Sequence, residues 1–129
     1  LLRWLEQPQA AGPLAAQALQ VLEPAGHASG TLLALRTLAH LARRQGRPGE
    51  SAALLDRALR QARRDPWMRA VLLDARAMAW TMLGRYRQAI ASVRQALAIN
   101  AALGNEAQVM YNEFNLAQAH AFAGDAASA

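Results

Sequence analysis

Apolar and small residues recur along this chain at the three- and four-residue spacing of a helix face, broken at short intervals by glycine and proline. The clearest case is 84–99, GRYRQAIASVRQALAI, where Tyr86, Ala89, Val93, Ala96 and Leu97 fall on one side of a helix. The stretch before it, 66–83, has the same period, so the two predict a helical hairpin turning at Gly84. A second stripe, Leu32, Leu35, Ala39 and Ala42, predicts a helix over 31–45. The turn GRPGE follows, and Pro48 suits the first turn of the next helix, where a missing N–H has no partner to lose. That helix carries Leu54, Leu55, Ala58, Leu59 and Ala62 and is expected to run to about Arg64, with Asp65 capping its successor and Pro66 opening it. Farther on, Gly104 predicts a stop and Asn105 a start, and the last helix is expected over 106–123, ending at Gly124 and Asp125. The first 24 residues are less regular. Leu1, Leu2, Trp4 and Leu5 suggest the last turn of a helix, Pro8 to Pro13 a break, and AAQALQVLE a short helix ended by Pro24. In the loop at 24–30 and just past it, Ser29 and Thr31 are candidate N-caps.

The candidate turn glycines Gly12, Gly46, Gly84 and Gly124 are 34, 38 and 40 residues apart. Matching residue types return around them. Seven before the glycine stand Ala39, Ala77 and Ala117; five after it, Ser51 and Ala89; twelve after it, Ala58 and Ala96. This arrangement resembles the tetratricopeptide repeat, a helical hairpin with small residues where its two helices cross. The stretch NLAQAHAFAGD (115–125) is similar to the family's first-helix consensus, and LGRYRQAIASVRQALAI to its second. Two departures stand out: Pro48 replaces the tyrosine seen at Tyr86, and Ala101 occupies the place of the proline that often closes a repeat. The resemblance implies an all-α fold, a right-handed superhelix of antiparallel helical hairpins. Its repeats would be 1–24 (degenerate), 31–64, 66–103 and 106–129 (incomplete) within one domain, 1–129. The opening at Leu1 and the ending in AGDAASA, where another hairpin would start, read as a fragment of a longer protein.

In such a stack the first helix of each repeat lines a concave side. The resemblance therefore implies a groove formed by Leu33, Arg36, His40, Arg43 and Arg44, then Val71, Asp74, Met78, Thr81 and Met82, then Tyr111, Phe114, Asn115, Gln118 and Phe122. The groove is expected to be basic at one end and aromatic at the other. It suits a protein or peptide ligand with an acidic end and an apolar anchor. The strongest candidates for contact are Arg36, His40, Arg43, Asp74, Met78, Tyr111, Phe114 and Gln118. Each has a plainer reading too: Phe114 and Phe122 fit a core against a following helix, Met78 and Met82 fit packing, and Arg43 and Arg44 fit a solvated last turn where cations suit the helix dipole. Family members that grip a terminal carboxylate need an asparagine where Ala75 stands, so that specificity is not implied. The longer repeats resemble those of bacterial multidomain signalling proteins, which implies a regulatory module beside an effector.

Composition narrows the chemistry. The chain is 129 residues with 53% apolar and 5% aromatic residues, a balance of alanine and leucine that favours packed helices over sheets. It has no cysteine, which removes disulfides, thiolate metal sites and cysteine nucleophiles and is compatible with a cytoplasmic setting. No apolar run approaches the roughly 20 residues of a membrane span. His27, His40 and His120 lack metal-ligand spacing, the acids are scattered, and no phosphate loop is present, so neither catalysis nor a cofactor is expected. The net charge of +5 comes from 14 arginines, with no lysine, against 9 acids. Seven of those arginines lie between Arg43 and Arg64, which gives the rival reading: a nucleic-acid-binding or transcription-regulator accessory surface on that segment. Exposed aromatics for stacking on bases are lacking there, and Arg57, Arg60 and Arg64 fall on an outer helix face, so nucleic acid is the weaker partner. An incomplete last repeat also predicts self-association through the exposed end of the stack, with Leu116 open to another chain.

Overall fold

The computed structural model describes residues 10–128; the turn expected at Leu1–Leu5 lies outside them. Among the described residues the chain is all-helical: α1 (Ala11–Leu22), α2 (Ala28–Arg44), α3 (Pro48–Gln61), α4 (Pro66–Met82), α5 (Tyr86–Ala102) and α6 (Glu106–Ser128). Each helix lies against its neighbours in the chain, and α4 also touches α2 and α6. The direction reverses at each step. Gly12 at the start of α1 lies beside Leu41 near the end of α2, while Leu22 at the end of α1 lies beside Gly30. Asn100 near the end of α5 likewise meets Asn112 near the start of α6.

One turn design closes four of the helices. The backbone adopts positive φ at Gly26, Gly46, Gly84 and Gly104 (71°, 77°, 76° and 71°), a conformation that side-chain-bearing residues rarely adopt. The residue after each glycine then donates its N–H to the carbonyl five positions back: His27 to Leu22, Arg47 to Ala42, Arg85 to Trp80 and Asn105 to Asn100, at 2.8–3.0 Å. This satisfies carbonyls that a helix end leaves unpaired. The α3–α4 junction has no glycine. Here Asp65 accepts from the Met68 N–H at 3.0 Å and Pro66 opens α4, as the sequence predicts.

Two of the four glycines taken as repeat markers are not turns. Gly12 sits in the first turn of α1, and Gly124 lies inside α6, which continues to Ser128. A single helical glycine costs only about 1 kcal/mol against alanine, so glycine alone does not end a helix. Ala117, spaced from Gly124, is exposed, whereas Asn112 and Ala119 of α6 are buried. The cap of α2 is also corrected. His27 Nδ1 accepts from the Gly30 N–H at 3.0 Å, and Ser29 and Thr31 lie within the helix. α3 ends at Gln61, short of Arg64.

The core follows the small-residue register. Leu35, Leu55, Leu72 and Leu73 fill a cluster that spans α2 to α5, lined by Ala39, Ala58 and Ala96. Ala77, Ala89 and Val93 form a second cluster between α4 and α5, with Trp80 and Leu116 against it. Leu116 is thus half-buried rather than open to another chain. Ser51 and Ser92 are buried as well, and Ser92 Oγ donates to the Leu73 carbonyl at 2.7 Å, fixing α5 on α4. Long side chains tie successive hairpins from outside: Arg57 and Gln61 of α3 bind Glu23 after α1, and Arg76 of α4 binds Asp56 of α3 at 2.7 Å while its guanidinium lies 4.3 Å from the Trp80 ring centre.

Ala89 is fully buried, so Ala89→Leu forces α4 and α5 apart. It is expected to cost about 1–3 kcal/mol, measured by urea unfolding. The exposed neighbour Ala91→Leu serves as the control and is expected to stay within about 0.5 kcal/mol of wild type.

Candidate functional site

The alternate helices α2, α4 and α6 share one hollow of about 500 Å³. Its position follows from the core register. On α2 the hollow-lining Arg36, His40 and Arg43 each stand one residue beyond the buried Leu35, Ala39 and Ala42; on α4, Val71, Asp74 and Met78 each stand one beyond Ala70, Leu73 and Ala77. One residue is a rotation of about 100° on a helix, so burying the first set turns the second toward the hollow. The third wall is Asn105, Gln108, Tyr111 and Asn112 at the start of α6, and Trp67 from the first turn of α4 closes one side.

Six of the eight candidate residues meet there: Arg36, His40, Arg43, Asp74, Met78 and Tyr111. Gln118 lines a smaller adjoining hollow of about 180 Å³ with Phe122, Thr81 and Met82, and Arg43, Asp74 and Met78 border both. Phe114 lines neither. It is 61% exposed, on a side of α6 turned about 70° from the mean direction of the row Tyr111, Asn115, Gln118 and Phe122. Leu33 borders a separate groove between α1 and α2, and Arg44 is exposed outside all three hollows.

The floor is a polar ladder across three helices. Asn100 Nδ2 donates to Asn112 Oδ1 at 2.7 Å, Asn112 Nδ2 donates to Asp74 Oδ1 at 3.1 Å, and Asn115 Nδ2 donates to both Asp74 oxygens at 3.0 Å. Asn100 and Asn112 are buried, so each amide needs these partners. Burial pushes the Asp74 carboxyl above the ordinary carboxylate range, and the Asn115 and Asn112 amides oppose that rise. At the opposite wall Arg43 approaches His40 Nδ1 at 3.3 Å. Partial burial, then the positive charge of Arg43, Arg44 and Arg36, holds His40 below the usual imidazole value. The hollow therefore offers cations on α2, a hydrogen-bonded carboxylate on α4 and aromatic faces at Trp67 and Tyr111.

Sequence reasoning placed Asn115 in the groove but missed Trp67 and the asparagines Asn100 and Asn112. The signal for the latter was present: asparagine is a weak helix former that competes for backbone bonds, and three of them in helix interiors imply partners elsewhere. Comparison with known proteins gives no matching family model and no matching curated protein. Among the described residues no helix is long and apolar enough to cross a membrane, and no cluster of three or more histidine and acidic side chains could hold a metal ion.

Asn112→Ala strands the Asn100 amide and removes one donor from Asp74. The expected loss is about 1–3 kcal/mol of stability, with the Asp74 carboxyl titrating higher still by NMR. Because the folded-state value of Asp74 is raised, the folded protein holds this proton more tightly than the unfolded chain. Its contribution is largest in acid and is lost as the pH rises from the ordinary carboxylate value through the raised one. Asp74→Asn is expected to flatten that part of the stability profile, followed by unfolding at a series of pH values.

Proposed function

We propose that this chain is a peptide-binding scaffold of the tetratricopeptide-repeat type, in which hairpins stack as a right-handed superhelix and the shared hollow grips a partner segment. The observation that carries this reading is that three helices separated in sequence, α2, α4 and α6, line a single hollow. A surface assembled from alternate helices follows an extended ligand from one hairpin to the next. Arg36 and Arg43 would take an acidic end of the ligand, and Trp67 and Tyr111 an apolar or aromatic side chain. Buried aromatic anchors hold a complex while peripheral charges steer it. The role is that of a non-catalytic regulatory module in a cytoplasmic bacterial signalling protein.

The arginine-rich segment is less suited to nucleic acid than its composition implies. Arg57 is bound to Glu23, which leaves Arg60, Arg63 and Arg64 as the exposed cations of that stretch, with Trp67 the exposed aromatic next to them in the chain. The test is selection of binders from a displayed peptide library, followed by calorimetry. Selected peptides are expected to carry acidic residues. Arg36→Glu should weaken binding more at low salt than at high salt, whereas Tyr111→Ala should weaken it about equally at both. Affinity should rise as the pH falls through the His40 titration below the usual imidazole range, and His40→Ala should remove that step. Loss of binding on reversal of Arg60, Arg63 and Arg64, with Arg36→Glu and Tyr111→Ala silent, would overturn the reading.

A further inference from the structure

Among the described residues, five polar ones are buried: Thr31, Ser51, Ser92, Asn100 and Asn112. Four of them have a side-chain partner. Thr31 donates to the His27 carbonyl, Ser92 donates to the Leu73 carbonyl, and Asn100 bonds to Asn112. The Ser51 hydroxyl has no hydrogen-bond partner among the described residues, although Ser51 is only 1% exposed. A buried hydroxyl left unpaired is unfavourable, and a helical serine has the carbonyl four residues back within reach. Packing does not call for the hydroxyl either. The matching position of the next hairpin, five residues after its turn glycine, is the fully buried Ala89.

Ser51 lines the same hollow as Arg36, Arg43, Asp74, Trp67 and Tyr111. A hydroxyl and two guanidiniums are all donors, and together they suit an oxyanion. Asp74 selects the charge of that anion. Its carboxylate is held by the Asn112 and Asn115 amides and pairs with no cation among the described residues, so its negative charge acts on whatever enters the hollow. A phosphate dianion is repelled there about twice as strongly as a single carboxylate. Trp67 and Tyr111 are 56% and 49% exposed, and an aromatic ring laid against them removes apolar surface from water. Size favours a free small molecule. A hollow of about 500 Å³ falls within the range of small-molecule sites, and Ser51 is reached only by a group that ends inside it. A peptide running along the rim from α2 to α6 leaves the hydroxyl unpaired.

We propose that the hollow binds a free aromatic monocarboxylic acid, its carboxylate taking the Ser51 hydroxyl and the Arg36 and Arg43 guanidiniums and its ring lying against Trp67 and Tyr111. Such binding does not depend on the peptide, in whose recognition Ser51 has no part.

The probes are 3-phenylpropionate, its neutral amide and phenyl phosphate, each titrated into the chain by calorimetry. The carboxylate is expected to bind, and the amide and the phosphate to bind about tenfold more weakly or not at all. Ser51→Ala should weaken 3-phenylpropionate about tenfold, the effect of one hydrogen bond to a charged group. Its thermal midpoint should stay at or above that of the wild type, because the variant removes an unpaired buried hydroxyl. Arg36→Gln, at an exposed position, should also weaken the acid and reduce the salt dependence of its binding. Absence of binding by the acid at millimolar concentration, equal binding by Ser51→Ala, or phenyl phosphate bound as tightly as the carboxylate overturns the proposal. A midpoint lowered by Ser51→Ala overturns it too, since the hydroxyl then holds helices rather than a ligand. The acid is titrated with no peptide present, so its failure leaves the outcome of peptide selection as it stands.

Discussion

No helix of this chain can bury its apolar stripe alone, and the alanines on those stripes set how closely neighbours approach. From α2 to α6 every helix contributes at least one alanine with almost no exposure: Ala39, Ala58, Ala77, Ala89 and Ala119 are examples. A methyl group at these positions lets two helices settle against each other without a cavity, and larger residues such as Leu35, Leu55 and Leu73 fill the space on either side. Once this spacing is set, the remaining faces of each helix have little freedom. On α2 and α4 the positions that follow Leu35, Ala39, Ala42, Leu73 and Ala77 are aimed at the hollow whatever their chemistry.

That geometry explains how a polar site lies so close to an apolar core. Asp74 directly follows Leu73, and Arg36 directly follows Leu35. The ladder from Asn100 through Asn112 to Asp74 and Asn115 joins α5, α6 and α4 where α6 has few large apolar residues to bury. Most of its anchoring on that side is polar: buried Asn112, the seventh residue of its helix, takes the place held on α2 and α4 by buried Ala34 and Leu72. A buried amide with both of its bonds made specifies one arrangement of neighbours, since any other leaves an unpaired donor or acceptor. The carboxylate at its end is positioned by amides rather than a cation, and that leaves the arginines of α2 available to a ligand.

The helices and most of their boundaries were legible in the sequence because local chemistry set them. Pro48, Asp65, Pro66, Gly84 and Gly104 each act within a turn of their own position, and the stripes Leu32–Ala42 and Leu54–Ala62 repeat over enough turns to fix a period. The same local logic misread Gly12 and Gly124. Only backbone conformation separates a glycine at positive φ from one carried inside a helix, and neither composition nor spacing reports φ.

What the sequence by itself determined was the all-helical class, the small-residue register of the two complete hairpins and the set of residues, among them Arg36, His40 and Asp74, that share a face. Each depends on neighbours three to seven positions away, a range over which helix geometry is fixed. The tertiary structure decided which faces converge. It placed Trp67 beside Tyr111's wall of the hollow, paired Arg57 with Glu23, buried Asn112 under Asp74 and left Phe114 outside. The pairing of Arg57 depends on how α3 lies against α1, and the places of Tyr111, Asn112 and Phe114 depend on how far α6 is rotated against α4 and α5. The rotation is set by side chains from three separate helices acting together, and no single segment of the chain contains that information.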